Sequence, residues 1–368
     1  MTWYPLWSYH FQNYESLPAV SAGITQFIRF PAAVEGNQIR LVFSNENGKY
    51  PVVFRNGSVA CDDRKTSITG ENDSEILLQP REIKATDAIK ISIKKGNLLT
   101  IAIQPEGTFT VYAGLNHASI FQVEFQNQEG EKVFPAEISA VVRKPFNSYV
   151  YFGIRSVEVL TEEQPEVITV FGDSLVHQGY RFQALYHKYL ESGEAKVLLN
   201  EGISGNRVLR NANSSSTLNS IFGAVGIQRI EKDVFSRYCP RQVILAAGIN
   251  DLVHPGDGCP SDELPDSAEL ISDLTKLCKI VKMYGSTPIL ATLSPFCGYN
   301  QSWNREKEQI RQAVNTWILQ QERVMDIDVY VRNPEKQWCL KEEYDSGDHL
   351  HFNQAAGEWI AERWLKTQ

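Results

Sequence analysis

The polar run TEEQPE at residues 161–166 separates two patterns of hydrophobicity that one packed layer cannot satisfy together. Before it, apolar and polar residues alternate over short stretches. In NQIRLVF, Ile39, Leu41 and Phe43 alternate with Arg40 and Val42, and NENGK then supplies an Asn-Gly turn signal. AIKISI sets Ile89, Ile91 and Ile93 against Lys90, Ser92 and Lys94, and LLTIAI repeats the pattern after the Gly96-Asn97 turn. YVYFGIRSVEVL supplies a last strand or pair. Strands of this kind bury one face each and pack as two sheets of a sandwich. After the polar run the apolar stretches become continuous: VITVF, KVLLN, QVILAAG and PILATL. Such strands are buried on both faces of a parallel sheet. Helical periodicities lie between them, as with Ile310, Val314, Trp317 and Ile318 within 303–322, and QAAGEWIAERWLK closes the chain as a helix. The expected architecture is a jelly-roll-like β-sandwich over 1–160, followed by an α/β domain with a parallel sheet and flanking helices over 167–368.

Composition excludes several functions. A hydrophobic share of 42% and a charged share of 22% suit a globular chain with real cores. The net charge of −8 repels phosphate backbones, and the lysines of IKISIKKGN read as the solvated face of one strand, so no nucleic-acid partner is expected. The N-terminal MTWYPLWSYHFQ lacks a basic region followed by an apolar run, and no stretch approaches the ~18 apolar residues of a membrane span. No signal peptide or membrane contact is therefore expected, and the chain is placed in the cytoplasm. The six cysteines show no C-x-x-C spacing and read as reduced thiols. A homo-oligomer is compatible with this composition.

In an open α/β sheet, chemistry collects at the carboxyl ends of the strands. VITVF runs into GDSLVHQGY there, which sets Ser174 beside a helix N-terminus whose free N–H groups favour a developing oxyanion. Read alone, Ser174 serves equally well as a helix cap. EGISGN follows the second apolar strand and AAGIND the third. Gly205 there allows a close backbone N–H, and Asn250 offers an amide that donates without titrating. Taken singly, Gly205 is also a helix-entry glycine, and Asn250-Asp251 is also a turn. DSGDHLHFN at 345–353 adds Asp348 and His351 at i and i+3, close enough for the carboxylate to orient the imidazole. His349 and His351 also form an H-x-H pair able to ligate zinc, but no third ligand stands at a recognisable spacing, so no metal site is expected.

Together GDSL, GISGN, GIND and DHLH resemble, in order and spacing, the blocks of the GDSL-type SGNH hydrolases, serine esterases on a flavodoxin-like sheet. The likeness runs the length of the chain, and it extends to a two-domain subgroup with a β-sandwich before the hydrolase. The resemblance implies Ser174 as nucleophile, His351 as general base and Asp348 as its orienting carboxylate. The oxyanion donors it implies are the backbone N–H groups of Ser174 and Gly205 and the side chain of Asn250. It implies hydrolysis of a small-molecule or carbohydrate ester, plausibly an acetyl ester, through an acyl-enzyme and without metal or organic cofactor. The alternatives are a lipase-type acylhydrolase and a carbohydrate-binding protein with a degenerate hydrolase domain.

This chain departs from the pattern at two places. Phe352 stands where the family commonly has proline after the histidine, which is expected to loosen His351 slightly. LVHQG replaces the subgroup's Ile-Thr-Asp-Gly, which assigns Val176, His177 and Gln178 to the substrate pocket. His254 is expected at the cleft rim. Tyr299 and Trp303 follow the fourth strand on the same edge. Asp345 is expected to shape its turn and His349 to pack or hydrogen-bond nearby, whereas His10, His117 and His187 carry no legible role.

Overall fold

The computed structural model describes residues 1–16, 18–69, 75–115, 122–132, 151–212 and 219–367. His117, and Tyr149 and Val150 of the YVYFGIRSVEVL run, lie outside them. The chain forms two compact units, Met1–Glu166 with Tyr189–Val197, and Val167–Lys188 with Leu198–Gln368.

The first unit is antiparallel throughout its described ladders. One sheet pairs Thr2–Tyr9 with Ile154–Thr161, that strand with Gly36–Ser44, and Gly36–Ser44 with both Ile89–Ile93 and Ile83–Ala85. The other runs Gln122–Gln126, Thr25–Pro31, Leu98–Pro105 and Val52–Cys61, with Arg64–Ser67 and Glu75–Leu78 on the last of these. Side-chain alternation sets the packing: Ile89, Ile91 and Ile93 are buried while Lys90 and Ser92 face water. Rings from the two sheets meet in the core, Trp7 against Phe30 and Phe43 against Phe54, at centroid distances of 6.1 and 5.1 Å. Such aromatic contacts add to the area they bury. The NENGK turn does not close a hairpin; it carries the chain from one sheet to the other, between Gly36–Ser44 and Val52–Cys61.

The second unit is built on five strands in the spatial order Lys196–Gly202, Glu166–Gly172, Gln242–Ala246, Thr287–Ala291 and Val324–Met325. The last four pair in parallel. In chain order this is 2-1-3-4-5, the flavodoxin-like order, whose crevice opens between the first and third strands. Their side chains are buried along nearly the whole length, as in the continuous runs VITVF and QVILA. The helix Ser267–Met283 starts from a reciprocal capping box in which Asp266 and Glu269 each accept the other's backbone N–H. In the helix Arg305–Ile318 the buried stripe is Lys307, Glu308, Arg311, Val314, Asn315 and Ile318, whereas Ile310 and Trp317 sit at its margins. The polar members are satisfied: Arg311 pairs with Glu308 at 2.7 Å and Asp328 at 2.5 Å and donates to the Leu293 carbonyl. Buried charge is tolerated where each group is paired and hydrogen-bonded in this way. Among the described residues no helix is long and apolar enough to cross a membrane.

Candidate active site

The strand Glu166–Gly172 delivers the chain into a four-residue helix, Ser174–His177, whose N-cap is Asp173. The Asp173 carboxylate accepts the Leu175 N–H at 3.0 Å. Capping therefore falls to Asp173, not to Ser174, and the serine hydroxyl is left for another partner. A helix this short must seat its apolar side in the strand ends. Val176 and His177 are 1% and 0% exposed, so they support the serine turn instead of lining an open pocket. A side chain at Gly172 would come within 2.6 Å of Val176 Cγ2, and one at Gly202 would press on the His177 backbone. His177 Nδ1 lies 3.3 Å from the Gly202 carbonyl, and Asn200 Nδ2 donates to the Val176 carbonyl at 2.8 Å. Gln178 is buried as well and reaches the Phe352 carbonyl at 3.4 Å.

Gly205 and Asn250 follow the strands Lys196–Gly202 and Gln242–Ala246. Gly205 lies in a turn with φ of +74°, where a side chain would also collide with the Phe222 ring. The helix-entry alternative does not apply, because this residue needs both the left-handed backbone and the missing Cβ. Asn250 is in the helix Ile249–Val253, not in a turn, and its Nδ2 donates to the Asn206 carbonyl at 3.1 Å. The next side chain, Asp251, accepts the N–H groups of Val208 and Leu209 at 2.8 and 3.1 Å. The third-strand loop thus holds the second-strand loop by two side chains. Phe222 also packs on His254, with ring centroids 5.2 Å apart. His254 is the one expected pocket residue that the fold brings beside the Gly205 turn. Burial, then the charges of Arg207 and Lys307, push its imidazole down to about 4.

The loop before the helix Gln354–Leu365 brings the remaining groups. Asp348 Oδ1 accepts the backbone N–H groups of Leu350 and His351 at 3.0 and 2.8 Å, while Oδ2 lies 2.6 Å from His351 Nδ1. His351 Nε2 lies 2.8 Å from Ser174 Oγ. Burial raises the Asp348 carboxyl, but the His351 ring and these N–H groups outweigh it and hold the group well below the usual carboxylate range. Phe352 is fully buried, and the carbonyl of His351 accepts the Ser346 N–H at 2.9 Å. The residue in place of proline is thus buried beside His351. Asn353 caps the following helix and donates to the Asp345 carbonyl at 3.1 Å.

The other polar residues of this loop turn elsewhere. Asp345 accepts the N–H groups of Gly347 and His349 at 2.8 and 2.9 Å, and its second oxygen lies 2.6 Å from His349 Nδ1. His349 and His351 thus each face an aspartate of their own, and among the described residues no group of three His, Cys, Asp or Glu side chains is placed to hold a metal ion. Tyr299 stands edge-on to the His351 ring at 6.2 Å, its hydroxyl pushed up to about 12 by burial and by the charges of Asp348 and Asp257. Trp303 turns away toward Glu308.

Two further groups stand at this edge that the sequence reading did not single out. Asp173 is 1% exposed, and burial pushes its carboxyl up to about 6 against the pull of the Leu175 N–H, Arg181 and His351. Arg229, 4% exposed, donates to the carbonyls of Gly172 and Glu201 and to Asn206 Oδ1 at 2.7, 3.0 and 2.8 Å. Asp173 stands inside the GDSL block without a mark of its burial, and an arginine in a short helix carries no periodic or motif signal.

Comparison with known proteins found no match among curated proteins. Among solved structures, the chain is similar to a putative lipolytic protein of the G-D-S-L family from Desulfitobacterium hafniense, at 14% identity over 55% of this chain and 99% of that one, with a TM-score of 0.40. It is similar to a GDSL-like lipase from Bacteroides thetaiotaomicron at 16% identity, over 56% and 90% of the two chains, with a TM-score of 0.40. It is also similar to a family two carbohydrate esterase from Clostridium thermocellum, solved with cellohexaose, at 11% identity over 100% and 98%, again with a TM-score of 0.40. The family model for GDSL-like lipase/acylhydrolases matches residues 170–358, just over half of the chain. From the strand before Ser174 to the last helix that match spans every block discussed above, and the chain belongs to the GDSL-like lipase/acylhydrolase family.

Proposed function

We propose that the chain is a serine esterase that removes short acyl groups, acetyl foremost, from carbohydrate esters through a Ser174–His351–Asp348 triad. The observation that carries this reading is the pair of contacts on one imidazole, Nε2 to Ser174 Oγ at 2.8 Å and Nδ1 to Asp348 at 2.6 Å. In the first step His351 Nε2 takes the serine proton as Oγ bonds to the ester carbonyl carbon. The carbonyl oxygen becomes an oxyanion, met by the N–H groups of Ser174 and Gly205 and the Asn250 amide. The C–O bond to the alcohol then breaks, and the alcohol leaves with the proton held by His351. Water repeats the sequence on the acyl-enzyme, releases the acid and restores Ser174. Asp348 fixes the tautomer and stabilises the imidazolium that forms twice in each cycle. Only a neutral imidazole accepts the serine proton.

A small acyl group is favoured by two rings at the site, Phe222 seated against Gly205 and Tyr299 standing on His351. The carbohydrate alcohol rests on the resemblance to two-domain esterases. The test is a series of p-nitrophenyl esters of rising acyl length, together with an acetylated xylo-oligosaccharide, each with Ser174→Ala as control. The expected result is the highest kcat/KM on acetyl and a loss of about 10³-fold or more in the alanine variant. Preference for long chains would turn the reading toward a lipase. Binding of the oligosaccharide with no turnover of any ester would leave a carbohydrate-binding protein.

A further inference from the structure

Three loops supply the proposed oxyanion donors, and one buried guanidinium touches the backbone or side chain of two of them. Arg229 lies in the helix Gly226–Ile230, away from the Ser174–His351 contact. Its Nη2 donates to the carbonyl of Gly172, two residues before the serine, at 2.7 Å. Nη1 donates to the carbonyl of Glu201, at the end of the strand that leads to Gly205, at 3.0 Å. Nε donates to Asn206 Oδ1, beside Gly205, at 2.8 Å. The third loop joins through Asn206, whose carbonyl accepts the Asn250 amide. The guanidinium is fixed from behind by Asp233 at 3.0 Å and from one face by the Phe171 ring, 4.0 Å from its centroid.

We propose that Arg229 is a positioning residue that holds the Ser174, Gly205 and Asn250 loops in register, so that three oxyanion donors converge on one point. The chemistry favours arginine here. A planar group with five N–H donors can serve three divergent acceptors and a carboxylate together, whereas a lysine ammonium has three donors on one atom and cannot span them. Asn206 Nδ2 extends the clamp to the carbonyls of Phe222 and Ala224 at 2.8 and 2.7 Å, which also fixes the ring facing Gly205. Hydrolysis depends on donors placed for the transition state, and displacement of a reacting group by about 1 Å costs about 10²-fold.

The proposal rests on the esterase reading, and its test separates the two. Wild-type turnover of p-nitrophenyl acetate, lost in Ser174→Ala, secures the reading first; if it fails, the esterase reading falls and the positioning role falls with it. Arg229→Lys keeps the charge facing Asp233. Arg229→Met with Asp233→Leu removes both charges, so that no buried carboxylate is left unpaired. The reactive serine in each variant is counted by stoichiometric phosphonylation, and kcat is expressed per reactive serine. The expected result is a fall of about 10- to 100-fold in kcat, KM within about threefold of wild type, and an unchanged order of preference among acyl lengths. A residue that serves stability alone would lower the number of reactive serines and leave kcat per serine within about twofold of wild type, and that outcome overturns the proposal. Failure of both variants to fold would also overturn it, by assigning Arg229 to the fold itself.

Discussion

Within nine residues the loop before the last helix builds two aspartate–histidine pairs of equal length, Asp348–His351 and Asp345–His349, each at 2.6 Å. Their surroundings differ. The His351 side chain is 19% exposed, and its far nitrogen meets Ser174; that of His349 is 55% exposed, and its backbone takes a φ of +71°. The carboxylates differ too. Each accepts the backbone N–H of its own histidine and of one neighbour, Leu350 for Asp348 and Gly347 for Asp345, but the Asp345 side chain is 9% exposed and that of Asp348 29%. An aspartate beside an imidazole is thus a common way to settle a loop. What distinguishes the Asp348–His351 pair is the third group, Ser174, on the opposite nitrogen.

The comparison can be broken most sharply at His351. His351→Ala should lower kcat for p-nitrophenyl acetate by about 10³-fold or more, because the serine loses its base; a fall under tenfold would erase the distinction between the pairs. Next comes Asp348→Asn, which keeps the loop but removes the charge that steadies the imidazolium. A loss of about 10²- to 10⁴-fold is expected in the same assay.

A third carboxylate near His351 sharpens the contrast through stability. Asp173 is buried and titrates near 6, above its unfolded value of about 3.9. The folded state therefore binds more protons than the unfolded one between those values, and ionised Asp173 weighs against folding above pH 6. Asp173→Asn should raise stability at pH 8 by roughly 3 kcal/mol, with the gain fading as the pH falls from about 6 toward about 4, read as Tm in parallel melts. Asp348 has the opposite sign. Its carboxyl is depressed, so its contribution is present above about pH 4 and is lost as the pH falls through the folded value. The smallest effect belongs to the second pair. His349→Ala should leave kcat/KM within about twofold and lower Tm by a degree or two; a tenfold loss would mean that this exposed ring meets the substrate.

The strand patterns were legible because each follows from one rule, alternation for half-buried sheets and continuity for doubly buried ones. Ile89–Ile93 and Val167–Phe171 follow those rules residue by residue. The loop sequences at the strand ends could be placed on one edge for the same reason. The helix Arg305–Ile318 was harder. Apolar periodicity points to Ile310 and Trp317, but the buried stripe includes Lys307, Glu308 and Arg311, whose burial depends on partners such as Asp328 that lie far away in sequence. Arg229 was illegible for the same physical reason: two of its acceptors are backbone carbonyls, which every residue has, and these lie 28 and 57 residues away in sequence. Val176 and His177 stand out in sequence because they replace the subgroup's residues after Ser174, but the helix buries both side chains.

The tether on Asn250 has one further consequence. A primary amide can usually flip end for end, exchanging a donor for an acceptor at little cost. Here one N–H is committed to the Asn206 carbonyl, and the flipped amide would face that carbonyl with its own oxygen. The side chain is thus locked in one sense of rotation, and the N–H that remains can offer incoming carbonyls a donor without first having to choose which way round to stand.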